Sequence, residues 1–203
     1  GGYIGMELGT VYAALGSKVV VVEALPSILA GTDADLLRPV LRRAQENLSE
    51  LRLETKVQGL ASRGDQIEVI TESNGQELTE LYDQVLVAVG RRPNSDGIGL
   101  ENTAAQLNES GFITVDGTQQ TTDPNIYAIG DITGGFMLAH KASKEARVAV
   151  ETLVGKKSTF EAVIPAVVFT DPEVAWCGLT ESEAKEKSPV DSTGLFSRSF
   201  TVA

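Results

Sequence analysis

Gly1-Gly2-Tyr3-Ile4-Gly5-Met6-Glu7-Leu8-Gly9, and after it Lys18-Val19-Val20-Val21-Val22-Glu23, decide how the rest of the chain reads. The first run is a glycine turn entering a helix, with Ile4, Leu8, Val11, Ala14 and Leu15 at helical spacing. Gly9 falls mid-helix, where close strand–helix packing needs no side chain, and Gly16 ends the helix. The second run is β-branched, the pattern of a parallel strand buried on both faces. Turn, helix, strand and terminal acid together form a dinucleotide-binding unit. Its phosphate fingerprint is Gly-x-Gly-x-x-Gly after a strand, and Gly2 and Gly5 fill the last two glycine positions, with Gly1 the variable one. The first glycine and the strand before it are not among these residues, so the sequence reads as an internal fragment.

The chemistry of such a turn is anion binding. Free backbone N–H groups and the helix dipole point at a pyrophosphate, and glycines let it approach the backbone. Glu23, about twenty residues on, stands at the strand tip, where a carboxylate accepts hydrogen bonds from ribose hydroxyls. That charge repels a 2′-phosphate, and no Arg or Lys follows before Arg38, so the pattern favours NAD over NADP. A Gly-rich turn alone would fit any α/β protein; the spacing of turn, helix, strand and acid carries the dinucleotide reading.

Bulk properties exclude several classes. A net charge of -11 over 203 residues argues against nucleic acid or an anionic membrane surface as partner. No apolar run approaches the roughly 18 residues of a membrane span. With one cysteine, Cys177, and one histidine, His140, no disulfide forms within these residues and structural zinc is excluded. A reducing, cytoplasmic compartment fits.

Along the chain, residues 33–48 read as a helix capped by Thr32 or Asp33, with an apolar face of Leu36, Val40, Leu41 and Leu48 and with Arg42 and Arg43 in solvent. Strands are expected at 54–60, 66–71 and 77–81, separated by Gly64-Asp65 and Ser73-Asn74-Gly75 turns. Residues 85–90 read as a buried strand running into Arg91-Arg92-Pro93. Ala88, Val89, Gly90 and Arg91 at its end are either a ligand-facing edge with a cation for phosphates or a plain exit to a loop. Residues 94–110 read as a connecting loop with one short helix. Short strands are expected at 112–115 and, buried, at 126–129. Asp131 then stands where a carboxylate either binds a ligand hydroxyl or caps the next turn of the chain. After Gly134-Gly135, residues 136–140 open a helix to about Leu153, whose free N–H groups suit an anion or electron-rich ring. His140 is assigned no catalytic role. Residues 163–169 and 174–178 read as strands, Cys177 as a small core residue, and Thr180 with Glu183 as a capping box. Residues 188–203 are Ser-rich and show no clear periodicity.

Six motifs in order carry a resemblance: Gly-Gly-Tyr-Ile-Gly-Met-Glu-Leu-Gly (1–9), Val-Glu-Ala-Leu-Pro (22–26), Val-Ala-Val-Gly-Arg-Arg-Pro-Asn (87–94), Thr-Thr-Asp-Pro-Asn-Ile-Tyr-Ala-Ile-Gly-Asp (121–131), Met-Leu-Ala-His-Lys-Ala (137–142) and Ile-Pro-Ala-Val-Val-Phe-Thr-Asp-Pro-Glu-Val-Ala-Trp (164–176). The chain resembles the FAD-containing pyridine nucleotide-disulphide oxidoreductases, and within them the lipoamide branch. The resemblance implies an α/β fold. Residues 1–93 would be a Rossmann-type NAD domain lacking its first strand, 94–159 the returning part of a second, FAD-binding Rossmann-type domain, and 160–203 the start of an α+β dimer-interface domain. It implies NAD contacts from Gly1, Gly2, Tyr3, Ile4, Gly5 and Glu23, with Val57 near the adenine and Ala88, Val89, Gly90 and Arg91 closing over the dinucleotide. Tyr3 or Ile4 would lie near the nicotinamide–flavin contact. For FAD it implies Asp131 at the ribitol or pyrophosphate, backbone N–H groups of Met137, Leu138 and Ala139 at the pyrimidine edge, and Glu7 beside the flavin, paired with a lysine elsewhere.

The implied activity is oxidation of protein-bound dihydrolipoyl groups through a redox disulfide and FAD to NAD+. The enzyme would be a homodimer serving the lipoyl domains of 2-oxo-acid dehydrogenase complexes. The family's Cys-x4-Cys pair and its His-x4-Glu acid–base pair are not among these residues, so no catalytic residue is assigned here. Residues 188–203 fit the family's continuation poorly. Mercuric reductase, soluble transhydrogenase and a non-enzymatic nucleotide-binding module are the competing readings.

Overall fold

Val20–Val22 (β1) pairs in parallel with Glu50–Arg52 (β2) in the computed structural model of the chain, which describes residues 1–187 and the backbone of residues 200–202. The pairing aligns Val21 with Leu51 and continues past the strand through Glu23 N–H to the Arg52 carbonyl at 2.8 Å. Tyr3–Ala14 (α1) enters β1 through Gly16, whose φ of +96 makes the turn. A methyl group at Gly9 would rest in ordinary contact with Val21 Cγ2 at 3.5 Å, so α1 packs on β1 here with space for an alanine. Ala34–Asn47 (α2) then crosses from β1 back to β2, and its apolar stripe is why it does so. Leu36, Leu37, Val40 and Ala44 of α2 bury against Met6 and Val21, with Leu41 packed at the margin.

Three further strands form an antiparallel meander: Lys56–Arg63 (β3), Gln66–Ser73 (β4) and Gln76–Tyr82 (β5). The second turn has Asn74 at φ +52 and Gly75 at φ +75, the left-handed pair that matches strand twist in a two-residue hairpin. A Cβ at Gly75 would meet nothing within 4 Å, so substitution acts on conformation alone. Gly75→Ala should therefore cost about 1 kcal/mol by urea denaturation, and an unchanged midpoint would contradict this turn. Arg52 ties β2 to the meander: its guanidinium bonds Glu80 of β5 and holds that carboxyl below the usual range. β2 has no counterpart among the expected strands, because three residues with a charge at each end show no alternation.

Ala166–Val168 (β6), Glu173–Trp176 (β7) and Phe200–Val202 (β8) form a third sheet in that order, with β7 and β8 antiparallel. Val168 and Val174 complete the core beneath α2. Glu181–Lys187 (α4) starts with the expected capping box: Thr180 N–H donates to Glu183 Oε2 at 2.8 Å, and Glu183 N–H to Thr180 Oγ1 at 3.2 Å. Asp33 occupies the N-cap position of α2 without capping it; its carboxylate accepts the Glu181 N–H at 3.0 Å instead.

The chain divides into two compact units, Gly1–Gly90 with Val167–Ala203, and Arg91–Ala166. The second unit holds two 3-10 turns, Leu100–Asn102 and Gly130–Thr133, and the helix Ala139–Leu153 (α3).

Several expected strands are absent, for identifiable reasons. Residues 18–23 are not buried on both faces: only Val21 is buried, since β1 has a ladder partner on one side only among the described residues. Residues 85–89 form no ladder, and Val87 and Val89 are 63% and 92% exposed. An apolar run becomes a strand only when a neighbour takes its N–H and C=O groups, and no described strand does so. Residues 112–115 and 126–129 keep one bridge each, Leu107–Ile113 and Gln120–Tyr127. Asn108 Oδ1 accepts the Ser110 and Phe112 N–H groups, so a side chain takes one donor that the first ladder would use. In the second run the Ile126 N–H bonds the Asp123 carbonyl and the Ala128 N–H the Gln119 carbonyl, so its pairing stops at one local contact. Ala128 is buried, but Ile129 is exposed. Cys177 is exposed and not core, because β7 ends at Trp176 and Gly178, at φ +86, turns the chain away. The reading of residues 188–203 lies outside the described residues, apart from the backbone of β8.

Candidate functional site

In the first unit the glycine turn and the acid meet. Gly2 is the N-cap of α1, with extended backbone and no side chain capping the helix, so the entering N–H groups stay open to a ligand. A Cβ at Gly1 would fall 2.6 Å from Glu23 Oε2 and 2.8 Å from Glu23 Cβ. Gly1, expected to be the variable position, is thus the residue that lets the Glu23 side chain cross the turn. Leu25 N–H donates to Glu23 Oε1 at 2.8 Å. Burial opposes ionisation of Glu23, and the Leu25 N–H bond favours it. The turn is braced from behind by Leu29, whose N–H reaches the Gly1 carbonyl at 2.8 Å. Leu29 is fully buried at φ +49, a conformation costly for a residue with a Cβ, and no local pattern announces it.

Ala88 lies against the same turn: a Cβ at Gly5 would stand 3.5 Å from the Ala88 methyl. Val89 is open to solvent and Gly90 sits at φ +110. Tyr3 packs edge-on to Trp176 at 5.6 Å, and burial pushes its phenol pKa up. Ile4 is exposed, as is Val57 beside a β-bulge between β3 and β4. Glu7, expected to pair with a lysine, accepts the Phe169 N–H at 2.9 Å.

The second unit presents a different arrangement. Gly130–Thr133 turns the chain with Gly130 at φ +82, and Asp131 projects its carboxylate to solvent. Arg91 reaches that carboxylate at 2.8 Å and the Met137 carbonyl at 3.4 Å. Arg91, grouped by sequence with the NAD residues, is therefore bonded to residues of the FAD group. At Gly134, held at φ +77, a Cβ would come within 3.1 Å of the Phe112 ring, so a side chain there would be strained in conformation and would press on that ring. The chain passes through Met137 and the N-cap Leu138 into α3, and no side chain caps that end. His140 Nε2 sits 2.7 Å from the Pro165 carbonyl, a structural contact.

An exposed carboxylate beside an uncapped helix start fits a group with hydroxyls and an electron-rich, hydrogen-bond-accepting edge. The glycine turn with its ionised acid fits a pyrophosphate joined to a ribose. A surface groove lined by Arg38, Pro39, Arg42, Arg43, Glu46 and Pro172 shares no residue with either. Among the described residues no cluster of three His, Cys, Asp or Glu is placed to hold a metal, and no helix is long and apolar enough to cross a membrane.

The profile described as pyridine nucleotide-disulphide oxidoreductase matches residues 1–146, and that family's dimerisation-domain profile matches residues 164–199. A dihydrolipoyl dehydrogenase of Buchnera aphidicola subsp. Schizaphis graminum is 45% identical over 199 residues, covering 97% of this chain and 42% of the relative. One from Geobacillus stearothermophilus is 44% identical over 188 residues, 92% of this chain and 40% of the relative. The chain thus spans about two fifths of the length of the curated relatives it matches. Among solved structures, LpdA of Mycobacterium tuberculosis superposes with a TM-score of 0.82 at 29% identity, covering 92% of this chain and 40% of that one. An HOCl-induced flavoprotein disulfide reductase of Escherichia coli gives 0.80 at 31% identity, covering 92% and 43%.

Proposed function

This chain belongs to the pyridine nucleotide-disulphide oxidoreductase family, and from that premise we propose that it supplies the NAD-binding and part of the FAD-binding machinery of a dihydrolipoyl dehydrogenase. The observation that carries the reading is the pairing of a glycine turn with the ionised Glu23, in a chain that also displays Asp131 beside the open start of α3. Gly2 and Gly5 leave backbone N–H groups open for the pyrophosphate, and Glu23 accepts ribose hydroxyls. Val57, Ala88, Val89 and Gly90 line the dinucleotide, with Tyr3 and Ile4 toward its nicotinamide end. Asp131 accepts from a ribitol hydroxyl, and the Met137, Leu138 and Ala139 N–H groups bond the pyrimidine edge. Arg91, bonded to Asp131, serves the flavin side. FAD, when bound, supplies the two-electron relay between a substrate dithiol and NAD+.

The domain reading of 1–93, 94–159 and 160–203 belongs to this proposal, as do homodimerisation through 160–203, lipoyl domains of 2-oxo-acid dehydrogenase complexes as partners, and a cytoplasmic setting. Cys177 stands alone, so the dithiol–disulfide exchange and the acid–base pair fall to residues beyond these 203. The test is electron-acceptor choice in the full-length protein. Dihydrolipoamide should reduce NAD+ rapidly and NADP+ poorly. Preferential reduction of Hg(II), or NADPH-to-NAD+ exchange without a dithiol, would move the assignment elsewhere in the family.

A further inference from the structure

Behind the exposed Asp131 lies an enclosed ion pair with no part in the contacts above. Lys141 and Glu145, one turn apart on α3, are only 7% and 3% exposed, with Nζ and Oε1 2.7 Å apart. The Lys141 ammonium also donates to Thr133 Oγ1 at 3.1 Å and to the Gly130 carbonyl at 3.3 Å, so its three protons are all placed. The other Glu145 oxygen accepts the Gly130 N–H at 2.7 Å, and Thr133 Oγ1 donates to the Gly130 carbonyl at 2.8 Å. Both backbone polar groups of Gly130, the residue immediately before Asp131, therefore end on this cluster. Gly130 itself is held at φ +82.

Buried ion pairs are seldom better for stability than apolar side chains of similar volume, because desolvation offsets the attraction. What this pair does provide is direction. It fixes the peptide preceding Asp131 to the body of α3, the helix whose open end stands beside that carboxylate. We propose that Lys141 and Glu145 are positioning residues for the flavin: they hold the Gly130–Thr133 turn against α3, so that Asp131 and the α3 N–H groups keep a fixed spacing before the cofactor arrives. This rests on the assignment of Asp131 and α3 to FAD. It deepens that assignment by naming what pre-organises the site.

The test uses the full-length apoprotein carrying Lys141→Met with Glu145→Leu, an apolar pair of similar size. Its urea midpoint should equal or exceed the parent's, while FAD affinity, read by quenching of flavin fluorescence, falls at least tenfold. Amide exchange across residues 130–133 should accelerate in the same apoprotein. Parental FAD affinity with unchanged exchange would overturn the proposal, and so would loss of the folded apoprotein, which would make the pair a stability element. Glu145→Gln, which keeps an acceptor for the Gly130 N–H but not the charge, should lose less affinity than the double variant; an equal or larger loss would also overturn it. Asp131→Asn, measured alongside, separates the two levels. Parental FAD affinity in that variant would sink the FAD assignment, whereas weakened binding there with none in the double variant would sink only the positioning role.

Discussion

Asp131→Ala should bind FAD about 10- to 100-fold more weakly than the parent, the loss of one charge-assisted hydrogen bond worth about 1.5–3 kcal/mol. The fold itself should barely respond. The Arg91–Asp131 pair is half exposed on both sides, and exposed ion pairs contribute about 0–1 kcal/mol. Equilibrium dialysis of FAD against the apoprotein, beside a urea titration, separates the two effects. A variant that keeps its flavin affinity, or that loses affinity only because it unfolds, would contradict the role given to Asp131.

The second large effect concerns Glu23. Glu23→Ala removes the acceptor for the ribose hydroxyls and should weaken NADH binding about 10- to 100-fold, again the loss of one charge-assisted bond. The same change should narrow the preference for NADH over NADPH, because the charge that repels a 2′-phosphate is gone. Gly1→Ala should act in the same direction, since its methyl would occupy the space the Glu23 side chain crosses. Glu23 accepts the ribose hydroxyls as a carboxylate, so NADH affinity should be flat through the neutral range and decline only as pH falls into the carboxylate range. A decline near neutral pH would implicate a different group.

The features legible in the sequence are local. The glycine turn, the helix after it and the acid at the strand tip are fixed by spacing within some twenty residues. The Asn74-Gly75 hairpin and the Thr180/Glu183 box are set by the backbone angles and donors of a few positions. The illegible parts depend on partners remote in sequence. Residues 85–89 have the composition of a strand but no ladder neighbour among the described residues, and composition cannot supply one. Residues 112–115 lose one ladder donor to Asn108, which accepts the Phe112 N–H, and the Ile126 and Ala128 N–H groups end on the carbonyls of Asp123 and Gln119. Charged residues on a helix ordinarily face water, which hides the burial of Lys141 and Glu145. A signal for it exists all the same, since they continue the stripe that Val148 and Ala149 bury. Arg91 goes with the NAD residues by its neighbours in sequence, whereas its guanidinium bonds follow the turn at Asp131.

We propose two separate dinucleotide sites, one built on Glu23 and one on Asp131, and paired calorimetric titrations of the full-length apoprotein with FAD and with NADH distinguish them in the parent, Glu23→Ala and Asp131→Ala. A double separation is expected: Glu23→Ala loses NADH affinity and keeps FAD, and Asp131→Ala loses FAD affinity and keeps NADH. Loss of both ligands together in either variant, or unchanged NADH affinity in Glu23→Ala, would contradict it.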